Sequence, residues 1–195
     1  MRQQDQVKAT WGIKWLDKKT QGISPGQVAM IAARAGVGKT ALTLSVLSAN
    51  SEKGLACLFV SLEQLGEEIY ERMAQNAGEQ TGADVAEAFA DPDESRVSAL
   101  ASITESKFAN VLVCDDDRLT VKQLKERVKA AEKKAGQKIR LLAVDYMGRM
   151  RGDGKDYYQQ VSSIALGLKN VAKECELAVL VLVQVNRSGR SGSSE

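Results

Sequence analysis

Five short apolar runs recur along the chain, separated by longer polar or amphipathic stretches. They are Val28 to Ala33, Leu55 to Val60, Val111 to Asp115, Ile139 to Asp145 and Ala178 to Val185. Within each run the apolar residues are continuous rather than alternating. A strand covered on one face alternates, so continuous Val, Ile and Leu runs predict strands buried on both faces, as in a parallel sheet. The intervening stretches follow a helical period. Val121, Leu124, Val128 and Ala131 share one face, with Lys and Glu on the other, and Val161, Ile164, Leu168, Val171 and Cys175 form a second stripe. Both stripes read as core-facing surfaces. Strand and helix in alternation predict an open α/β fold with right-handed connections and ligands at the carboxyl ends of the strands.

The less regular segments set the boundaries. Residues 1–20 read as an N-terminal arm, linker or short helix, polar except for Trp11, Ile13, Trp15 and Leu16. Its tryptophans pack on their own domain or, alternatively, on another subunit. Residues 21–187 read as the core. Asn76 to Asn110 is Ala-rich and acidic, broken by Gly78, Gly82 and Pro92, and is expected to form short helices between the second and third strands. Residues 188–195, rich in Ser and Gly, read as a flexible tail.

Composition narrows the function classes. The 195 residues, 44% hydrophobic and 27% charged, suit one globular domain with a real core. A formal net charge of +2 argues for no particular partner, so any nucleic-acid site must come from local clusters of Lys and Arg. There is no histidine, which removes His-liganded metals and Ser-His triads. Cys57, Cys114 and Cys175 lie in apolar stretches with no metal or redox spacing, and are expected to be buried free thiols. No run is long enough to span a bilayer and the first residues carry no apolar signal segment, so a cytoplasmic protein is expected.

The strongest local signal is Ala33-Arg34-Ala35-Gly36-Val37-Gly38-Lys39-Thr40, followed by Ala41, between an apolar run and a plausible helix. That strand–loop–helix context is what a P-loop requires. Gly36 and Gly38 let the backbone turn its N–H groups inward around phosphate oxygens, and the helix N-terminus adds partial positive charge. Arg34 through Ala41 are therefore the expected ATP-binding residues. Lys39 is expected between the β- and γ-phosphates, and the Thr40 hydroxyl on Mg²⁺. The competing reading is a Gly-rich turn with a solvated Lys.

Three strand exits supply candidate partners. Asp145 ends LLAVD, where a buried carboxylate must be engaged or costly. It is expected to hold Mg²⁺ with Thr40, against a simple capping role. Glu63 follows the second run. It is expected to activate water if that strand neighbours the P-loop strand, against an ordinary helix N-terminal Glu. Gln184, read as a buried strand-end Gln, is expected to sense the γ-phosphate, against a merely satisfied polar end.

These segments together resemble the C-terminal motor domain of DnaB-like replicative helicases. The similarity is carried in order by GIKWLDKKTQGISPGQVAMIAARAGVGKT, FVSLEQLGEEIYERM, VLVCDDDRLTVKQLKERVKAA, LLAVDYMGRM and VLVQVNR, from about Gly12 to Arg187. The resemblance implies a RecA-like P-loop NTPase with a mostly parallel central sheet flanked by helices. It also implies a hexameric ring that hydrolyses ATP with Mg²⁺ and moves 5′ to 3′ on single-stranded DNA during replication. Glu63 takes the family's catalytic glutamate position, Asp145 its Walker B position and Gln184 its sensor position. Family loops after the Asp and Gln strands grip DNA phosphates, which maps DNA binding to Arg149, Arg151 and Lys155, and to Arg187 and Arg190. A solvated basic loop is the alternative for these cations. The glycines around them suit flexible backbone contact. The chain departs from the family pattern in lacking the N-terminal helical domain and the later strands with their trans-acting basic residues. Loss of an arginine finger lowers phosphoryl transfer by roughly 10³ to 10⁵. A second reading is therefore an ATP-binding, non-motor subunit that co-assembles with a longer helicase chain. A recombinase-type relative is a third, disfavoured by the SLE and VNR segments.

Overall fold

The structure is a computed structural model and describes residues 7–91 and 94–185. The five apolar runs form β1 (Val28–Ala33), β2 (Ala56–Ser61), β3 (Val111–Asp115), β4 (Ile139–Asp145) and β5 (Ala178–Gln184). They make one sheet in the order β1-β5-β4-β2-β3, with every pairing parallel. The helices are α1 (Lys14–Thr20), α2 (Lys39–Ser51), α3 (Gly66–Gly78), α4 (Gly82–Ala90), α5 (Ser95–Lys107), α6 (Val121–Ala135) and α7 (Tyr157–Glu174). The stretch between β2 and β3 holds three of these, α3 to α5, as its breakers predict.

Successive side chains of a strand point to opposite faces, and both faces here are covered. Leu58, Val60, Leu142, Val144, Val179 and Val181 pack with Leu124 and Val128 of α6 and Ile164, Leu168 and Val171 of α7. Cys57, Phe59, Leu141, Ala143 and Leu180 pack on the other face with Leu44 and Leu47 of α2 and Ile69 and Met73 of α3. That is why the sequence runs are apolar without alternation. The edges differ. On β1 the burial is only intermediate, and Met30 is 53% exposed.

The opening stretch lies on the domain. Ala9 and Ile23 form an antiparallel bridge and are buried within the second core cluster. The Asn50 side chain of α2 clamps this turn, accepting from the Thr10 N–H at 2.9 Å and donating to the Thr10 carbonyl at 2.8 Å. Trp11 packs against the same cluster, whereas Trp15 is 67% exposed. The cysteines divide likewise. Cys57 is buried, while Cys114 and Cys175 are only partly buried, because they sit at an edge strand and a helix end. Burial pushes the Cys57 thiol up to about 12. Among the described residues, no helix is long and apolar enough to cross a membrane.

Candidate nucleotide site

The carboxyl ends of β1, β5, β4 and β2 are adjacent, and the expected site residues leave the sheet there. Ser61 is in register with Asp145, and Ala33 with Gln184. The Leu62 N–H donates to the Asp145 carbonyl at 2.7 Å, and the Val185 N–H to the Ala33 carbonyl at 3.2 Å. These bonds fix the two exit pairs. The condition placed on Glu63, that β2 neighbours the P-loop strand, is not met: β5 and β4 stand between them. Glu63 nevertheless reaches the site, because it projects from beside β4 onto the same cavity.

That cavity, ≈ 430 Å³, is lined by Gly36, Gly38, Lys39, Thr40, Glu63 and Asp145, with Gln184 and Tyr146 at one side and Glu68 and Arg72 of α3 at another. Ala35 and Ala41 also line it; Arg34 and Val37 do not, and Val37 is 68% exposed. Gly36 has φ +76° and Gly38 φ +97°, and a Cβ at either would meet nothing within 4 Å. Backbone conformation, not space, requires glycine here. Gly38 is also the N-cap of α2, so the helix's free N–H groups open onto the cavity.

The Thr40 hydroxyl donates to Asp145 Oδ2 at 2.6 Å across 105 residues of sequence. The Lys39 ammonium donates to the carbonyls of Ala33 at 3.2 Å and Arg34 at 2.9 Å. Asp145 is 6% exposed, and burial raises its carboxyl above the ordinary 3.8. The Glu63 charge pushes the same way, while the Thr40 hydrogen bond and the Lys39 and Arg72 charges oppose it. A divalent cation would offset the buried carboxylate charge. Among the described residues no cluster of three or more His, Cys, Asp or Glu could hold a metal alone. The donor set of one hydroxyl and one carboxylate beside a phosphate-shaped loop instead fits Mg²⁺, which takes few protein ligands and completes its shell with phosphate and water.

Glu63 is held by a turn in which Ser61 Oγ donates to the Gln64 carbonyl at 2.7 Å and accepts from the Gln64 N–H at 3.1 Å. The side chain of Glu63 itself is exposed to the cavity. Gln64 Oε1 is buried with no partner among the described residues, an acceptor at the cavity wall. Gln184, expected buried, is exposed: β5 ends there, and its side chain opens onto the cavity. Arg72 was not foreseen. Asp115 at the tip of β3 accepts from the Gly66 N–H at 2.9 Å and so seats the first turn of α3. Glu68 and Arg72, one turn apart, then face the cavity while Ile69 and Met73 face the core. The available signal was this i, i+4 polar face opposite an apolar one.

The basic segment after β4 differs from expectation in stiffness. Arg149, Arg151 and Lys155 are exposed, and none makes an ion pair among the described residues. Yet the Arg151 N–H donates to the Leu119 carbonyl at 2.9 Å, the Asp153 N–H to Ser163 Oγ at 2.8 Å and the Lys155 N–H to Gln159 Oε1 at 2.9 Å. A Cβ on Gly152 would lie 2.2 Å from the Gln160 carbonyl oxygen, and one on Gly154 2.5 Å from Gln159 Cβ. These glycines allow close approach to α7 rather than flexibility. Arg187 and Arg190 lie outside the described residues.

The family described as DnaB-like helicase C terminal domain matches residues 9–193. The replicative DNA helicase DnaB of Pasteurella multocida is 29% identical over 182 residues, and that of Buchnera aphidicola (Schizaphis graminum) 30% over 183. Each match covers 91% of this chain but 38% of the relative. The chain therefore spans under two-fifths of the length of these relatives. Among solved structures, an isolated ATPase domain superposes with TM-score 0.82 at 24% identity, covering 93% of this chain and 65% of that one. A DnaB-like replicative helicase, described with its interactions with primase, gives 0.81 at 23%, covering 98% and 48%.

Proposed function

This chain belongs to the DnaB-like helicase C-terminal domain family, and on that premise we propose that it is an ATP-driven motor domain acting on single-stranded DNA. Its RecA-like sheet is shared with the solved DnaB-like helicase and the solved ATPase domain. The observation that carries the reading is the convergence of Lys39, Thr40, Glu63, Asp145 and Gln184 from the ends of four strands onto one cavity.

Each residue then has a task set by its position. The loop N–H groups and Lys39 hold the phosphates of ATP. Thr40 and Asp145 hold Mg²⁺, whose charge offsets that of the phosphates. Glu63 orients water and accepts its proton. Gln184 hydrogen-bonds the terminal phosphate and lies one residue before the segment that leads to Arg187. Arg149, Arg151 and Lys155 take DNA phosphates as exposed cations with no ion pair among the described residues. The family premise supports a cytoplasmic ring, hexameric in its simplest form, built from copies of this chain or with longer relatives.

Steady-state ATP hydrolysis with and without single-stranded DNA tests this reading, with Lys39→Ala as the blank. DNA-stimulated turnover above the blank is expected. Turnover equal to the blank in both conditions contradicts a motor role.

A further inference from the structure

A second cavity, ≈ 180 Å³, adjoins the nucleotide site behind Tyr146 and Gln184. Its other walls are Gly148 and Met147 after β4, Tyr157 and Val161 of α7, and Val183 of β5. The Tyr146 ring lies against the Gly148 backbone, where a Cβ would come within 2.6 Å of it. Tyr157 is 77% exposed and its neighbour Tyr158 81%. These two rings open α7, directly after the basic segment. Two adjacent aromatics this exposed are unusual for side chains that gain most from burial.

The basic segment is tied to the helix that carries the rings. The backbone bonds from Arg151, Asp153 and Lys155, together with Gln160 Nε2 donating to the Gly154 carbonyl at 3.3 Å, strap residues 151–155 to Leu119 and α7. Of the two acids in the segment, Asp156 is engaged as the α7 cap, accepting from the Gln159 N–H at 2.8 Å, and Asp153 is exposed. Cations alone suffice to hold a phosphate backbone. Exposed rings beside them add a surface on which any base can stack, since every base presents a π-face.

We propose that Tyr157 and Tyr158 form a base-stacking platform for single-stranded nucleic acid, with Arg149, Arg151 and Lys155 on the adjoining phosphates. This rests on the DNA-binding reading above and adds the base as a recognised group. Stacking makes binding indifferent to sequence but sensitive to whether bases are present. It also sets the strand against the wall that Tyr146 and Gln184 share with the nucleotide cavity.

The test is fluorescence anisotropy of the whole chain with labelled oligo(dT) and with an abasic strand of equal length, across a salt series. The unaltered chain is expected to bind oligo(dT) about tenfold tighter per stacked base than the abasic strand. Tyr157→Ala and Tyr158→Ala each remove about tenfold for oligo(dT), leave abasic binding and the salt slope unchanged, and are rescued by Phe. Arg149→Ala weakens both strands and reduces the salt slope by about 1. Equal binding of the two strands by the unaltered chain overturns the platform while leaving phosphate binding intact. So do Tyr→Ala variants that alter the mass of the chain in solution but not its DNA affinity, which would mark a protein interface. Binding of neither strand overturns the DNA reading itself.

Discussion

Thr40 and Asp145 show at residue scale how a buried charge is tolerated. Asp145 is buried at the wall of the cavity with one hydroxyl partner, and burial raises its pKa. The sign of the linkage follows. The folded state binds more protons than the unfolded state between the ordinary 3.8 and the raised folded value, so stability falls as pH rises through that window. Asp145→Asn is thus expected to melt higher than the unaltered chain at pH 7, with the gap closing as pH falls from the raised value to the ordinary 3.8 in a thermal series. It also loses Mg²⁺-dependent nucleotide binding. Glu63→Gln is expected to bind ATP normally and to lose roughly 10² to 10⁴ in turnover, read from single-turnover hydrolysis. Arg72→Ala is expected to weaken ATP more than ADP in competition titrations, since its cationic side chain lines the cavity. The meeting of Gly36 to Thr40 with Asp145 at one cavity was legible because strand ends and glycines punctuate the sequence, while Glu63 reaches it by a different strand order from the one expected. Arg72 was not legible, because a polar helix face looks the same whether it meets solvent or a ligand. Gln184 was misjudged as buried because the run that precedes it is apolar, whereas burial ends with β5.

At the scale of elements, local chemistry sets the boundaries. Thr120 and Gln123 form a reciprocal capping box at the start of α6, and the Thr120 hydroxyl accepts from the Gln123 N–H at 3.3 Å. Thr120→Ala is expected to cost about 1 kcal/mol in denaturant unfolding. Gly152→Ala forces the segment off α7, because its Cβ would sit 2.2 Å from the Gln160 carbonyl oxygen. Faster limited proteolysis between Arg149 and Lys155 is the expected readout, with the global melt little changed. All five strands were legible as apolar runs; for β2, β4 and β5 the cause is burial on both faces, whereas β1 and β3 at the edges are only partly buried. The order of the strands was not legible. A run records burial but not its neighbour, so nothing local placed β5 and β4 between β1 and β2. The stiffness of the basic segment was hidden likewise, since a glycine that permits close approach reads like one that permits motion.

The whole molecule is a sheet clad on two faces, with chemistry confined to one end. Phe59 of β2 is fully buried under one face, and Phe59→Ala is expected to cost about 3 to 5 kcal/mol in unfolding free energy. The account rests most heavily on the claim that the cavity at the strand ends holds Mg²⁺–ATP through Lys39, Thr40 and Asp145. Calorimetric titration of ATP into the chain, with Mg²⁺ and with chelator, measures this directly. Saturable binding that needs Mg²⁺ and is absent in Lys39→Ala is the predicted result. Binding unchanged by Lys39→Ala, or the same with and without Mg²⁺, would contradict it.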